Sequence, residues 1–224
     1  MMNRFYLNII LAVFSSHFAI GQTYNWERIT DSTKHILGAN SGWEYTAFAG
    51  VNYSYKLPFK IPAFIQTGLS ITFGNNIADD FKYNLGLGGE MYSNKGFHSI
   101  LTLNALYNRY ASELVRLNQV ALDIKTLNGL YKLKWFVATE IGLELGLSTH
   151  FKHSETYKQF IYAEVEDGWY KPLSAGIINF GVQGGYSFKQ SDLIFRIGYF
   201  KTITSSVNVL IPYYATLGYN LKIK

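Results

Sequence analysis

Residues 137–150 read VATEIGLELGLSTH, and their side chains change character from each position to the next. The odd-numbered positions from Val137 to Leu147 hold Val, Thr, Ile and Leu, whereas the even-numbered positions hold Ala, Glu, Gly and Ser. Successive side chains of a β-strand point to opposite faces, so this alternation predicts a strand. Ordinary soluble strands average about 5–6 residues, whereas a tilted strand crosses a bilayer with about 9–11. The length of the run therefore favours a strand that spans a membrane.

Eight further runs alternate in the same way. One face of each run is almost free of charge and rich in Leu, Ile, Phe and Tyr, while the other carries mostly Gly, Asn, Ser, Thr, Gln and charges. Apolar side chains toward lipid and polar ones toward the interior are typical of a membrane barrel. The sequence predicts an all-β protein, an antiparallel up-and-down transmembrane β-barrel. The further runs are 43–55, 62–73, 81–92, 97–108, 120–131, 176–188, 193–204 and 212–223.

The connections between these runs alternate in length. The short ones are 56–61, 93–96, 132–136 and 189–192, and the long ones are 74–80, 109–119, 151–175 and 205–211. Outer-membrane barrels have short periplasmic turns, long external loops and an even number of strands. Nine is an odd number of runs, so we expect one further strand, about ten in all, with the tenth inside Tyr24–Leu37. A barrel of eight strands is the alternative.

The chain contains 16 Phe, 18 Tyr and 4 Trp, and many of these aromatic residues lie near the ends of the predicted strands. Tyr and Trp have an apolar body and a polar tip, so they collect at both surfaces of a membrane. The predicted girdles contain Trp43, Tyr53, Tyr55, Phe73, Phe81, Tyr107 and Tyr213.

Residues 1–21, MMNRFYLNIILAVFSSHFAIG, have the pattern of a secretory signal peptide. Arg4 gives a positive start, an apolar core follows, and Ala19-Ile20-Gly21 provides a small-x-small cleavage pattern before Gln22. The predicted division is a signal peptide at 1–21, an N-terminal extension or first strand at 22–42, and the barrel at 43–224. The expected location is the outer membrane of a Gram-negative bacterium.

Composition excludes several classes of function. The absence of Cys removes disulfides, thiolate zinc sites, cysteine nucleophiles and a lipid anchor on an N-terminal Cys. A formal net charge of +5, with the cations scattered along the chain, gives no indication of nucleic-acid binding. The glycines in 86–89 lack the strand-turn-helix context of a dinucleotide site, and no cofactor is expected.

Charged residues on the polar face are expected inside the barrel. Buried charges need partners, and small barrels fill their interiors with side chains, so these residues predict an internal salt-bridge network. A proton or ion path is the alternative. The predicted network contains Glu44, Lys82, Glu90, Asp123, Lys125, Glu140, Glu144, Arg196 and Lys222.

The signal peptide, the alternation of Gly and aromatic residues and the closing YYATLGYNLKIK (213–224) together resemble small outer-membrane β-barrel proteins. The junction Ala19-Ile20-Gly21-Gln22 resembles exported proteins of Bacteroidota. The resemblance covers nearly the whole chain. It implies outer-membrane lipid as the surroundings, and an envelope protein or an external ligand as a partner.

Two groups of residues near the longest connection are candidates for function. The aromatic residues Tyr157, Phe160, Tyr162, Trp169 and Tyr170, mixed with acidic residues, are typical of a binding surface. The cluster His150, His153, Ser154 and Glu155 is similar to lipid A deacylase barrels, which carry His-x-Ser and a Glu at another spacing. No metal site is expected, because the two histidines lack a third ligand. We expect a non-enzymatic barrel with a structural or binding role. A lipid-acting enzyme and a narrow transporter of small or hydrophobic molecules are the alternatives.

Overall fold

The computed structural model of the protein describes residues 23–44, 46–73, 79–172, 176–203 and 212–224. The predicted signal peptide at 1–21 lies outside these residues. The described elements are a 3-10 helix at Trp26–Arg28, a helix α1 at Glu155–Phe160, and the strands β1 His35–Trp43, β2 Ala47–Lys56, β3 Ala63–Thr72, β4 Phe81–Asn94, β5 Phe97–Ala111, β6 Val115–Tyr131, β7 Trp135–His153, β8 Gly168–Tyr170, β9 Ile177–Phe188, β10 Ser191–Thr202 and β11 Tyr213–Ile223.

Ten of these strands form a closed antiparallel barrel. Each pairs with its neighbours along the chain, β7 pairs with β9, and β1 pairs with β11 to close the wall. The short β8 lies outside this ring and pairs only with β7. The prediction of an antiparallel barrel with ten strands is confirmed, and the alternative of eight is wrong. Among the described residues, no helix has the length and hydropathy needed to cross a membrane.

The first strand differs from its predicted position. It was expected inside Tyr24–Leu37, but β1 starts at His35, and a turn in which the N–H of Glu44 donates to the carbonyl of Thr46 at 3.2 Å separates it from β2. The predicted run 43–55 therefore contains the end of β1, this turn and most of β2. The wall of the barrel begins at His35 rather than at 43. Residues 23–33 do not form a strand; residues 23–26 are buried inside the lumen, whereas Glu27 and residues 30–32 are exposed.

The connection predicted at 109–119 is also wrong. β5 continues to Ala111 and β6 starts at Val115, with residues 112–114 forming a tight turn between them. Ser112 closes this turn, since its backbone N–H donates to the carbonyl of Val115 at 2.9 Å, and its Oγ accepts from the N–H of Val115 at 3.2 Å. As a result the hairpins of β5, β6 and β7 extend beyond the other strands at this end.

The connections define two ends of the barrel. The short-turn end holds the β2–β3, β4–β5, β6–β7 and β9–β10 connections, and the long-loop end holds the others, including the β7–β9 connection. Two of the short turns are tight because Lys95, Gly96 and Lys189 have positive φ values of 50°, 84° and 51°. Both chain ends of the described barrel, before His35 and after Ile223, lie at the short-turn end, since these two residues pair.

The distribution of side chains is inverted relative to a soluble protein. Outward positions such as Leu69, Leu85 and Leu217 are exposed, whereas inward positions such as Ser70, Asn84 and Thr216 are buried. Inward glycines leave room for large rings in the lumen. A Cβ added at Gly198 would lie 2.3 Å from the ring of Tyr214, which packs directly against this glycine. A polar interior within an apolar outer surface is the arrangement that a bilayer requires.

Candidate functional site

The interior of the barrel carries an ion-pair cluster centred on Glu140. The guanidinium of Arg196 binds this carboxylate at 2.7 Å through Nη2 and 3.1 Å through Nε, and Lys125 Nζ lies 3.3 Å from Glu140 Oε1. Tyr214 donates its hydroxyl to the same carboxylate at 3.3 Å, and the Arg196 guanidinium lies 5.6 Å from the centre of the Tyr214 ring. All four side chains come from different strands, so the cluster links β6 and β7 to β10 and β11.

The other charged residues predicted in the interior also lie in the lumen. Lys82 Nζ lies 3.5 Å from Glu144, and Asn104 donates to Asp123 at 2.9 Å. Glu90 contacts His98, and Lys222 contacts Asp192. Glu44 is buried in the β1–β2 turn rather than in a strand.

We call residues 23–33 the plug; its buried part, residues 23–26, lies in the lumen at the short-turn end, whereas Glu27 and residues 30–32 are exposed. Tyr24 and Trp26 are buried, with ring centres 4.9 and 5.7 Å from that of Phe64. Asn25 is fully buried and donates from its backbone N–H to Asp192 at 3.0 Å, and from its side chain to Ser187 at 2.9 Å. These contacts hold the plug by packing and hydrogen bonds to several strands.

Two further contacts connect the plug to the wall. Thr23 donates its hydroxyl to Gln183 at 2.6 Å, and Glu27 lies 2.9 Å from Nε2 of His98. A cavity of about 20 Å³ is lined by Thr23 of the plug and by wall residues that include Arg196. A cavity needs roughly 10–15 Å³ of such volume to hold one water molecule, so this gap has room for a single water.

Sequence reasoning missed the plug, His98 and Asp192. The plug has no period of two, because it forms no strand: its first four residues are buried, and Glu27 and residues 30–32 are exposed. Asp192 follows a turn and was assigned to it, although it is the buried partner of both Lys222 and Asn25. The sequence Tyr24-Asn25-Trp26 could have indicated the plug, because two large aromatic residues so close together are unusual in an exposed extension.

The β7–β9 connection forms a compact structure at the long-loop end. β7 continues past the end of its pairing with β9 at Glu144, and β8 takes over as its partner at Thr149–Phe151. Ser154 accepts the N–H of Tyr157 at 3.2 Å and so caps α1. Asp167 joins the two halves of the connection, since it accepts the N–H of His153 at 2.8 Å and lies 3.0 Å from Lys158 Nζ.

Four of the five aromatic residues predicted to bind are exposed on this connection. Phe160 is 81% exposed and Trp169 is 61% exposed, and Tyr162 and Tyr170 are exposed as well. Tyr157 is buried, with its ring centre 4.8 Å from that of His153, so it supports the connection from beneath. We call Phe160, Tyr162, Trp169 and Tyr170 the aromatic surface.

The residues of the predicted catalytic cluster are engaged in other contacts. His150 packs against Trp169 with ring centres 5.2 Å apart, while His153 Nδ1 lies 2.9 Å from Asp167. Ser154 caps α1, and Glu155 is the first residue of that helix. Beside them, a groove of about 250 Å³ is lined by Asp79, Ser112, Glu113, Arg116, Lys152, His153 and Ser154. Within the described ranges, no group of three or more His, Asp or Glu side chains has the geometry to hold a metal ion.

Asp167 gives the connection a dependence on pH. The N–H of His153 and the side chains of Lys158 and His153 stabilise its charged form, so the pKa of Asp167 is lowered below its usual value. A carboxyl with a lowered pKa contributes stability that is present above its unfolded pKa of about 4 and is lost as pH falls through the folded pKa. We therefore expect the connection to loosen only below about pH 4.

The measurement is hydrogen exchange of the amides in 154–172, corrected for the intrinsic rate at each pH. The variant Asp167→Asn should lose protection in this segment at neutral pH and show no acid transition there. Exchange in β6 should remain unchanged in both proteins. A segment that keeps its protection in Asp167→Asn would contradict this role of the carboxylate.

Comparisons with known proteins give only distant likenesses. No family model matches the chain, and no curated protein matches it. Among solved structures, it is similar to the beta domain of the Bordetella autotransporter BrkA, with 11% identity, a TM-score of 0.37 and coverage of 85% of this chain and 99% of that one. It is also similar to the transport unit of the autotransporter AIDA-I from Escherichia coli, with 11% identity, a TM-score of 0.36 and coverage of 98% and 97%. Similarity this weak assigns no function to this chain.

Proposed function

We propose that this protein is an outer-membrane barrel whose lumen is closed to solutes and which binds a partner or ligand outside the cell through the aromatic surface. The observation that carries the proposal is the inverted distribution of side chains. Apolar residues cover the outer surface of a closed wall, while paired charges and the buried part of the plug lie in its interior. A bilayer matches this outer surface, and the closed interior argues against a transport role.

The aromatic surface is the best candidate for recognition. Its exposed rings belong to the same connection as Glu164, Glu166 and Asp167, and large rings mixed with polar groups are enriched where proteins bind. The Ser154 cap and the Asp167 contacts hold the connection in place, so the rings are presented with little loss of freedom on binding. In this proposal the chain is not an enzyme, and Ser154 serves as a helix cap.

The absence of Cys allows a direct test of the proposed topology. Single variants Phe160→Cys and Lys95→Cys place one thiol on the aromatic surface and one in the β4–β5 turn at the short-turn end. A bulky, membrane-impermeant maleimide should label position 160 on intact cells, and position 95 only after the outer membrane is opened. The reverse pattern, or a protein that is soluble without detergent, would overturn the proposed location.

Binding is tested by placing a photo-crosslinking amino acid at position 160 in intact cells. We expect a discrete adduct, whose yield falls about 30-fold in Trp169→Ala because truncation of a central aromatic residue costs about 2 kcal/mol. The matched control is Trp135→Ala, which removes an exposed Trp at the short-turn end. Equal yields in the three backgrounds would contradict recognition through the aromatic surface.

The enzymatic alternative has its own measurement. Mass spectra of lipid A should be the same in cells that make the wild-type protein and in cells that make Ser154→Ala. A difference between them would replace the binding role by a lipid-acting one.

A further inference from the structure

The two ends of the barrel differ strongly in charge. In the described part of the chain, each connection at the short-turn end carries at least one lysine, and the plug and the chain ends beside it add further cations. Glu27 and Asp31 are the described acidic residues on the plug, and they lie beside His98 and Lys56 respectively. The long-loop end instead mixes acids and bases. The cations of the short-turn end are Arg28, Lys34, Lys56, Lys60, Lys95, Lys132, Lys134, Lys189 and Lys224.

Large apolar side chains are interleaved with these lysines. Leu133 lies between Lys132 and Lys134 and is 68% exposed. Phe59 and Ile61 flank Lys60 and are 63% and 61% exposed. A turn that faces water normally carries small polar residues, so apolar tips beside cations indicate a surface where acyl chains meet charged headgroups.

A cleft at this end brings both kinds of side chain together. It has a volume of about 220 Å³ and lies between the plug, the β9–β10 turn and the end of β11. Its lining includes four cations and one carboxylate together with two apolar side chains: Arg28, Lys189, Lys222, Lys224, Glu27, Leu133 and Ile223. Arg28 donates to the backbone carbonyl of Lys189, which fixes the guanidinium at the cleft and leaves its other N–H groups available.

We propose that the short-turn end binds anionic phospholipid headgroups, with a phosphate in this cleft and the acyl chains along Leu133 and Ile223. The cations supply the charge that a phosphate needs, and the apolar tips favour a lipid over a polar glycan. This inference rests on the proposed function, because it requires the barrel to lie in a bilayer. Beyond the proposed function, it specifies the class of lipid that one end of the barrel binds.

The test uses the full chain in phosphatidylcholine vesicles with spin-labelled phosphatidylglycerol or spin-labelled phosphatidylcholine as the probe. Lipid at the barrel surface is immobilised, and the ratio of the two association constants gives the selectivity. Each lysine near a headgroup contributes about fivefold to the binding of an anionic lipid. We expect wild-type protein to prefer phosphatidylglycerol, and the preference to disappear in Lys132→Gln/Lys134→Gln/Lys189→Gln.

The matched control is Arg116→Gln/Lys171→Gln/Lys201→Gln, which removes three cations at the long-loop end and should keep the preference. Both variants are first checked for heat-modifiable migration, so that loss of folding is not read as loss of selectivity. No preference in the wild type, or equal loss in both variants, would overturn this inference. If the Lys132→Gln/Lys134→Gln/Lys189→Gln variant kept the wild-type preference for phosphatidylglycerol, the inference would be overturned. If that variant also bound isolated peptidoglycan more weakly than the wild type, the cations would instead serve to bind a glycan. No immobilised lipid with either probe would instead refute the proposed function.

Discussion

The variant Arg196→Met should lower the free energy of unfolding in detergent by about 3–5 kcal/mol, because removal of one partner leaves a buried charge without full compensation. Arg196 makes two short contacts with Glu140, and Lys125 at 3.3 Å cannot replace them both. Arg196→Lys should cost less, since it keeps the charge but loses the planar, two-pronged contact. Urea unfolding followed by tryptophan fluorescence measures all three proteins.

The matched control for this variant is Arg116→Met, which removes an exposed arginine on β6. Its effect should remain within about 0.5 kcal/mol, as for most surface substitutions. Arg196→Met/Glu140→Gln/Lys125→Met should recover part of the loss, because all three buried charges are then absent. If Arg196→Met and Arg116→Met lose the same free energy, the cluster around Glu140 does not stabilise the fold.

The second large effect is expected from Tyr24→Ala/Trp26→Ala. Truncation of a buried large aromatic residue costs about 3–5 kcal/mol, and here the lost packing holds the plug rather than the wall. A loss of about 3 kcal/mol raises the population with the plug released by about 100-fold. The readout is maleimide labelling of Ser187→Cys, whose side chain position is buried beneath Asn25 in the closed barrel.

The matched control is Trp43→Ala/Tyr213→Ala, which removes an exposed Trp and Tyr at the long-loop end and should leave labelling slow. Conductance distinguishes the contributions of two barriers in the lumen. The first barrier is the plug, and the second is the cluster around Glu140. Loss of the plug alone leaves the Glu140 cluster across the lumen, so we expect no channel until Arg196→Met is added. A channel in Tyr24→Ala/Trp26→Ala alone would contradict the role of the Glu140 cluster as a barrier. Unchanged labelling of Ser187→Cys in that variant would contradict the role of the plug.

The strands that were predicted well are those with large apolar residues on one face. In β3, β7 and β11 every outward position up to the rim is apolar or Thr, so the period of two is clear in the sequence. β1 was misplaced because HILGANSGW has small residues on both faces, and its outward Ala39 and Ser41 give no contrast with its inward Gly38 and Asn40.

The candidate sites were predicted less completely, for physical reasons. Inward charges on strands follow from the alternation, but their pairing depends on stagger between strands, which the sequence does not specify. The sequence alone therefore assigns no partner to Glu140, whereas the structure places it in contact with Arg196 and Lys125. Tyr157 and Phe160 are both aromatic residues in the same connection, so the sequence does not distinguish them. Their positions on the capped helix α1 leave Tyr157 buried and Phe160 exposed.

The pairing of β1 with β11 determines the order in which this chain can complete its fold. Every other pairing in the wall joins segments that are close in sequence, whereas His35 must meet Ile223 across nearly the whole chain. Contacts of such long separation are slow to form, because the loop entropy is lost before the contact is made. Until they meet, β1 and β11 present open edges that can pair with other chains. The plug binds Asp192 and Asn220 on the strands that arrive last, so its docking coincides with closure and helps make closure irreversible.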